Sequence, residues 1–328
     1  MFAASRKFFF QILRVIVVFC FVALVLGWIY ERTQASLDKS RYQPRGRIVK
    51  VLGTPIHINC SGVGTPTVVM DAALGFHSLD WHLIQEQVAQ TTRVCAFDRP
   101  GYGWSQSVAG SRTSFNVAYE LHELLKAAGE KPPYILVGHS FGALNMRYFA
   151  SLYPDEVVGL VLLDPIHEDM EKYLPKSRTT VIERFWDQVS LFFSKLGIHR
   201  FVSRNFISEN FPDLPTSIQQ PYQSHHSRPQ TLETAYRENL ALSESLQLMR
   251  EQENGLEMIP LVVITSSGKK FENQTMYQDF LQIHQNLASD SSLGKHLLQE
   301  NSGHFIHHDE SQTVIDEITV MIQDIRQK

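Results

Sequence analysis

The 328-residue chain has only three cysteines, and no two of them stand at a zinc-type spacing. It has no run of basic residues and no repeated aromatic-basic pattern. Its formal net charge is −4, so nothing in the charge balance points to nucleic acid. There is no internal repeat of fixed period, which excludes repeat architectures. An apolar run long enough to matter for a membrane occurs once, close to the N-terminus. The remainder is ordinary globular composition, 43% hydrophobic and 20% charged. The length suits one large domain with an insertion, or two domains.

The exceptional run is residues 15–30, uncharged and apolar. Extended back to Gln11 it gives 20 positions, enough to cross a bilayer if Arg14 snorkels to the headgroups. Trp28 and Tyr30 stand where interfacial aromatics are expected. A cleaved signal would start at Arg6 and Lys7, but its core would be long and its cleavage site at residues 33–35 poor. Residues 1–45 are therefore read as an uncleaved membrane anchor followed by a polar stalk. Basic residues are more numerous after the span than before it, which favours a cytoplasmic domain. Long domains, however, translocate largely regardless of charge, and a short basic tail stays in the cytoplasm. The reading places the large domain outside the cytoplasm. Cys20 falls in the span. Cys60 and Cys95 fall in or beside strands, either as two buried core residues or as a disulfide if those strands are neighbours.

From residue 47 the chain alternates. Strand-like runs stand at residues 48–52, 56–60, 67–72, 94–97, 134–137, 159–163 and 261–265, with a last short one at 297–299. Helical patterns stand at 79–89, 117–128, 144–152, 277–287 and 314–325. The apolar later strands suit a parallel sheet buried on both faces, and the alternation implies an α/β fold with right-handed crossovers. Residues 46–328 form that domain. Residues 165–256 break the alternation and read as a helical cap insertion. One helical face there carries Val181, Phe185, Val189, Phe192 and Leu196. A proline-containing loop follows, then a helix over 232–250. The cap aromatics Phe185, Trp186, Phe192, Phe193, Phe201, Phe206 and Phe211 read mostly as cap core, with a minority lining an apolar pocket.

Chemistry enters at Gly138-His139-Ser140-Phe141-Gly142. A strand runs straight into this Gly-x-Ser-x-Gly and a helix runs out of it. That order puts a serine on a sharp turn clear of the sheet edge. A serine nucleophile needs a base and the base needs a carboxylate. His304, in Ser302-Gly303-His304-Phe305 beyond the last strand, has the position for the base. His139 reads as structural, and His225 and His226 as surface residues of the cap. For the acid, Asp164 ends the strand after the elbow helix, and Glu272 follows the later strand. Asp164 stands ahead and both stay open, while Asp309 lies too close to His304 in sequence to orient it easily. The Phe141 N–H follows the nucleophile at a helix start, and the Phe76 N–H, after Gly75, is the second candidate oxyanion donor.

Five stretches together resemble the α/β-hydrolase fold family in its cap-bearing, serine-nucleophile branch. They are Asp71-Ala72-Ala73-Leu74-Gly75, the block Phe97 through Ser105, the elbow, Val161-Leu162-Leu163-Asp164, and Ser302-Gly303-His304-Phe305. The resemblance implies a Ser140, His304 and carboxylate triad with backbone donors at Phe76 and Phe141, and no metal or cofactor. Many members carry the acid after the later strand, where this chain has Ser266-Ser267-Gly268; others carry it where Asp164 stands. The epoxide hydrolases and haloalkane dehalogenases of this fold use Asp at the elbow, where this chain has Ser. The expected activity is hydrolysis of a carboxylic ester by a membrane-anchored enzyme, with a small-molecule or lipid-like substrate. The alternatives are an amidase or peptidase of the same fold, or a binding protein that retains it.

Overall fold

The computed structural model describes residues 2–173, 181–252, 256–267 and 273–327. Among them eight strands form one sheet: β1 (Arg47–Val51), β2 (Thr54–Ser61), β3 (Thr67–Asp71), β4 (Val94–Phe97), β5 (Tyr134–His139), β6 (Val157–Leu163), β7 (Leu261–Ser266) and β8 (Gly294–Gln299). Their spatial order is β1-β2-β4-β3-β5-β6-β7-β8. β1 pairs antiparallel with β2, and β2 with β4; every other pairing is parallel.

The central strands are apolar on both faces because both faces are covered. Val69, Leu136, Leu160 and Val263 pack against helices Ser114–Ala128 and Phe141–Leu152. Their neighbours Val68, Ile135, Val161 and Ile264 pack against helices His82–Val88 and Ser311–Arg326. This period-two division needs an apolar residue at every position, and full burial of each contributes roughly 1.5–3 kcal/mol. The helix expected over 79–89 is split into a 3-10 turn, Ser78–Trp81, and the helix His82–Val88. Cys60 and Cys95 face one another in the β2–β4 register and are joined as a disulfide, with Cα atoms 4.0 Å apart.

The N-terminal helix runs from Phe2 to Arg41 and is long and apolar enough to cross a membrane by length and composition. The expected stalk is therefore not an extended tether, because residues 31–41 continue this helix and dock on the cap. Arg200 donates from Nε and Nη2 to Glu31 (3.0 and 2.9 Å) and from Nη1 to Asp38 (2.6 Å). Just below, a Cβ on Gly197 would come within 2.6 Å of the Tyr30 ring, and one on Gly27 within 3.0 Å of the Leu196 carbonyl.

The cap contains the helices Val181–Ser194, Ile198–Val202, Phe206–Asn210, Thr216–His226, Pro229–Leu240 and Leu242–Arg250. The proline-containing stretch is thus partly helical, with Pro221 inside the fourth helix, and the run expected over 232–250 breaks at Ala241. Three sequence expectations are corrected here. Phe185, Trp186, Phe192, Phe193 and Phe201 are exposed rather than cap core, whereas Phe211 is buried. The inward face of the first cap helix carries Asp187, Leu191 and Ser194 instead; the Val181 side chain lies outside the described residues. His225 is not a surface residue: it is buried 4.3 Å from the Trp104 ring, and His226 stacks on Phe206 at 4.5 Å.

Candidate active site

Ser140 sits between β5 and the helix Phe141–Leu152 with φ 55° and ψ −113°, a conformation L-residues seldom adopt. The flanking glycines make that turn feasible. A Cβ on Gly138 would lie 2.5 Å from the Ala143 Cα, and one on Gly142 only 2.3 Å from the Asp71 carbonyl. The turn is pinned from β6: Ser140 N–H donates to the Leu163 carbonyl (2.9 Å), and Ile166 N–H to the Ser140 carbonyl (3.2 Å).

Asp164 follows β6, also at positive φ (42°). Its Oδ2 lies 2.9 Å from His304 Nδ1. Ser266, ending β7, donates its N–H to Asp164 Oδ1 (2.8 Å) and its hydroxyl to Oδ2 (2.5 Å). Burial pushes the Asp164 carboxyl up, but the bonds and charges of His304, His284 and Ser266 outweigh it and hold it below the ordinary range. The sequence places the turn at Ser266 among the strand ends that converge on the site but gives the residue no role; it occupies the strand end where many of the resembling proteins carry the acid itself. Glu272 lies outside the described residues. Asp309 accepts from the Gly303 N–H (2.7 Å).

His139 is fully buried, and its Nε2 lies 2.8 Å from the His304 carbonyl, tying the elbow to the histidine loop. Burial holds its ring well below the ordinary histidine range, so it is neutral. Behind it, Asp80 accepts from Tyr222 (2.6 Å) and pairs with His307 (3.0 Å) and His308 (2.8 Å). Asp80, His139 and His307 are the described residues outside the disulfide that come nearest to a metal-ligand set. Because Tyr222 and His308 both bond Asp80 Oδ1 and His307 faces Oδ2 at ion-pair distance, the cluster reads as a brace between the cap and the histidine loop.

The loop after β3 corrects one expectation. The Phe76 N–H donates to the Ala73 carbonyl (3.1 Å), closing the turn, and so is not a free oxyanion donor; the Gly75 N–H donates to Tyr102 Oη (3.2 Å). The amides of Ala73 and Leu74 meet no acceptor among the described residues. The loop is braced by Arg99, which donates to the Ala72 (2.6 Å) and Ala73 (2.9 Å) carbonyls and to Asp71. Arg99 also pairs with Glu238 of the cap through bonds of 2.9 and 3.1 Å, and Tyr102 Oη donates to the same carboxylate at 2.7 Å. All four side chains are buried. Glu238 carried no signal in the sequence, since its partner lies 139 residues away.

Ser140, Asp164 and His304 line one cavity of about 200 Å³, closed by Ile166, Met170, Tyr277, Phe280 and His284. His284 is held by Thr265 Oγ1 (2.8 Å) and the Pro165 carbonyl (2.9 Å). The cavity is thus apolar-walled, with a hydroxyl, an imidazole and a carboxylate at one end. It is smaller than the roughly 300–1,000 Å³ typical of sites for drug-sized ligands.

A family profile described as alpha/beta hydrolase fold matches residues 66–311. The uncharacterised protein YqjL of Bacillus subtilis is 28% identical over 248 residues, 76% of this chain and 80% of that protein. The lipase LipV of Mycobacterium tuberculosis is 32% identical over 111 residues, 34% of this chain and 41% of that one. Among solved structures, an epoxide hydrolase of Vigna radiata superposes with a TM-score of 0.67 at 19% identity, covering 85% of this chain and 98% of its own. A thermophilic esterase of Thermogutta terrifontis superposes with a TM-score of 0.59 at 17% identity, with the same coverages. At such identities the structural likeness carries the fold alone.

Proposed function

Since this chain belongs to the α/β-hydrolase fold family, we propose that it is a membrane-anchored serine hydrolase that cleaves a carboxylic ester. The observation that carries the reading is the 2.9 Å contact between His304 Nδ1 and Asp164 Oδ2, in a cavity that Ser140 also lines. In this scheme His304 Nδ1–H donates to Asp164, which fixes the tautomer and leaves Nε2 as the base. Nε2 takes the Ser140 proton as Oγ attacks the acyl carbon, and returns it to the departing alkoxide. Water then attacks the acyl-enzyme with His304 again as base, releasing the acid. The tetrahedral oxyanion rests on the Phe141 N–H and on an amide of the turn after β3, Ala73 or Leu74, in place of Phe76.

The small cavity favours a short acyl group over a long one. The Cys60–Cys95 bridge supports a catalytic domain outside the cytosol, because such bonds persist in oxidising compartments.

Labelling the full chain with a fluorophosphonate probe tests the chemistry. The native protein should label and Ser140→Ala should not; equal labelling of the two, or none of either, removes the reading. A panel of esters and amides graded by acyl length then decides the preferred bond.

A further inference from the structure

The first cap helix, Val181–Ser194, is amphipathic in the wrong sense for a soluble protein. Its inward face presents Asp187, Leu191 and Ser194. Phe185, Trp186, Phe192 and Phe193 are exposed, and at 100° per residue they fall within one sector of about 120° on the opposite side. Phe201 and Val202, on the next short helix, are exposed as well, and the six residues are between 41% and 75% exposed. A contiguous apolar surface of this kind marks a contact with a partner or a membrane.

Its position relative to the anchor selects between these. The turn joining the two helices, Leu196-Gly197, packs on Gly27 and Tyr30, the last turn of the apolar span. Directly above it Arg200 holds Glu31 and Asp38, all three largely buried. The C-terminal end of that helix is therefore fixed against the last apolar turn of the N-terminal helix. Trp28, with Arg32 over its ring at 5.4 Å, marks the same level on the anchor. Arg204, over the Phe201 ring at 4.5 Å, repeats that arrangement on the cap.

We propose that the patch formed by Phe185, Trp186, Phe192, Phe193, Phe201 and Val202 is inserted in the bilayer leaflet from which the anchor emerges, so that the cap itself is a second membrane-binding element. An aromatic and aliphatic face beside cationic side chains, buried part-way into the headgroup boundary, is the usual composition of an interfacial helix. The inference rests on reading the N-terminal helix as a membrane span. It implies that esters dissolved in the same leaflet reach the cap without crossing bulk water.

The test uses the full chain, with Trp28→Phe to silence the tryptophan of the span, reconstituted in phosphatidylcholine vesicles whose acyl chains are brominated. Trp81 is buried and Trp104 is packed within the protein. Bromolipid should therefore quench roughly a third of the emission, the share of one tryptophan in three, and the added Trp186→Phe change should abolish that component. Absence of quenching in protein that resists carbonate extraction overturns the proposal, as does a dimer that shields Trp186 from lipid. Release by carbonate overturns the anchor reading and this inference together. Neither result touches fluorophosphonate labelling of Ser140, which reports on the hydrolase reading separately.

A second arm replaces Phe185, Trp186, Phe192 and Phe193 with Ser. For an acetate ester of a long-chain alcohol held in phosphatidylcholine vesicles, kcat/KM should fall about tenfold, in line with lost interfacial binding. For a water-soluble acetate ester it should stay within about twofold. An equal fall on both substrates, or on neither, overturns the proposal.

Discussion

Arg99, just beyond β4, and Glu238, in the cap, lie side by side in a bidentate pair from which water is excluded. The same guanidinium holds the carbonyls of Ala72 and Ala73. Removing the carboxylate leaves Asp71 as the guanidinium's remaining acidic partner among the described residues and takes away two charged hydrogen bonds, so Glu238→Ala should cost about 1.5–3 kcal/mol of stability by urea titration. Glu238→Gln, which keeps one acceptor oxygen, should cost less. Both should lower kcat more than they raise KM, because the loop after β3, proposed to lend an oxyanion donor, loses its brace.

Asp164→Asn should lower kcat by about 10²–10⁴ with little change in KM, since an amide can neither fix the His304 tautomer nor stabilise its cation. Ser266→Ala removes one of two bonds from that residue to Asp164 and leaves the N–H in place. A smaller effect follows, about tenfold in kcat. A near-normal rate for Asp164→Asn in steady-state ester hydrolysis would return the acid to another carboxylate.

Burial pushes His77 and His226 down to about 4, and neighbouring histidines push the same way. An unfolded histidine takes its proton near 6.5, so between about pH 6.5 and 4 the unfolded chain binds more protons than the folded one. The stability these residues contribute is complete above that window and is lost as the pH falls through it. His226→Phe, which retains the stack on Phe206, should flatten the fall in urea midpoint between pH 7 and 4.5. An unchanged slope would show that His226 does not titrate with unfolding.

The disulfide Cys60–Cys95 closes a loop with a sequence separation of 35 residues. Chain entropy assigns such a loop about 4 kcal/mol. Reduction, or the paired change to Ala, should lower the urea midpoint accordingly while leaving the fluorophosphonate reaction of the folded protein intact. A midpoint insensitive to reductant would remove the bridge from the stability of the native chain.

Features written in neighbouring residues were legible in the sequence. The elbow could be read because Gly138, Ser140 and Gly142 satisfy one turn within five positions. The buried strands could be read because a sheet covered on both faces leaves no polar position. Features set by distant partners were not. Cys60 and Cys95 pair through strand register, and Glu238 is buried because Arg99 waits for it from another part of the chain. Periodicity set an apolar face on the first cap helix that shares only Phe185 and Phe192 with the exposed stripe, and could not set its direction, since an outward-facing stripe has the same spacing as one facing a core. The Phe76 amide failed as a donor for a smaller reason: which N–H of a turn is free depends on the bond the turn makes with itself.

Gly27, Tyr30, Glu31 and Asp38 lie on one side of the N-terminal helix, at steps of three, one and seven residues, and all meet the cap. Such a contact sets an angle as well as a height. One residue inserted between Tyr30 and Glu31 would turn the lower helix by 100° against the upper part, so the cap could engage Gly27 or Glu31 but not both. The apolar stretch upstream of Gly27 could be exchanged for any apolar helix of similar length, whereas the roughly three turns from Gly27 to Asp38 act as a keyway. Through it the bearing of the cavity lined by Ser140 and His304 is locked to the N-terminal helix.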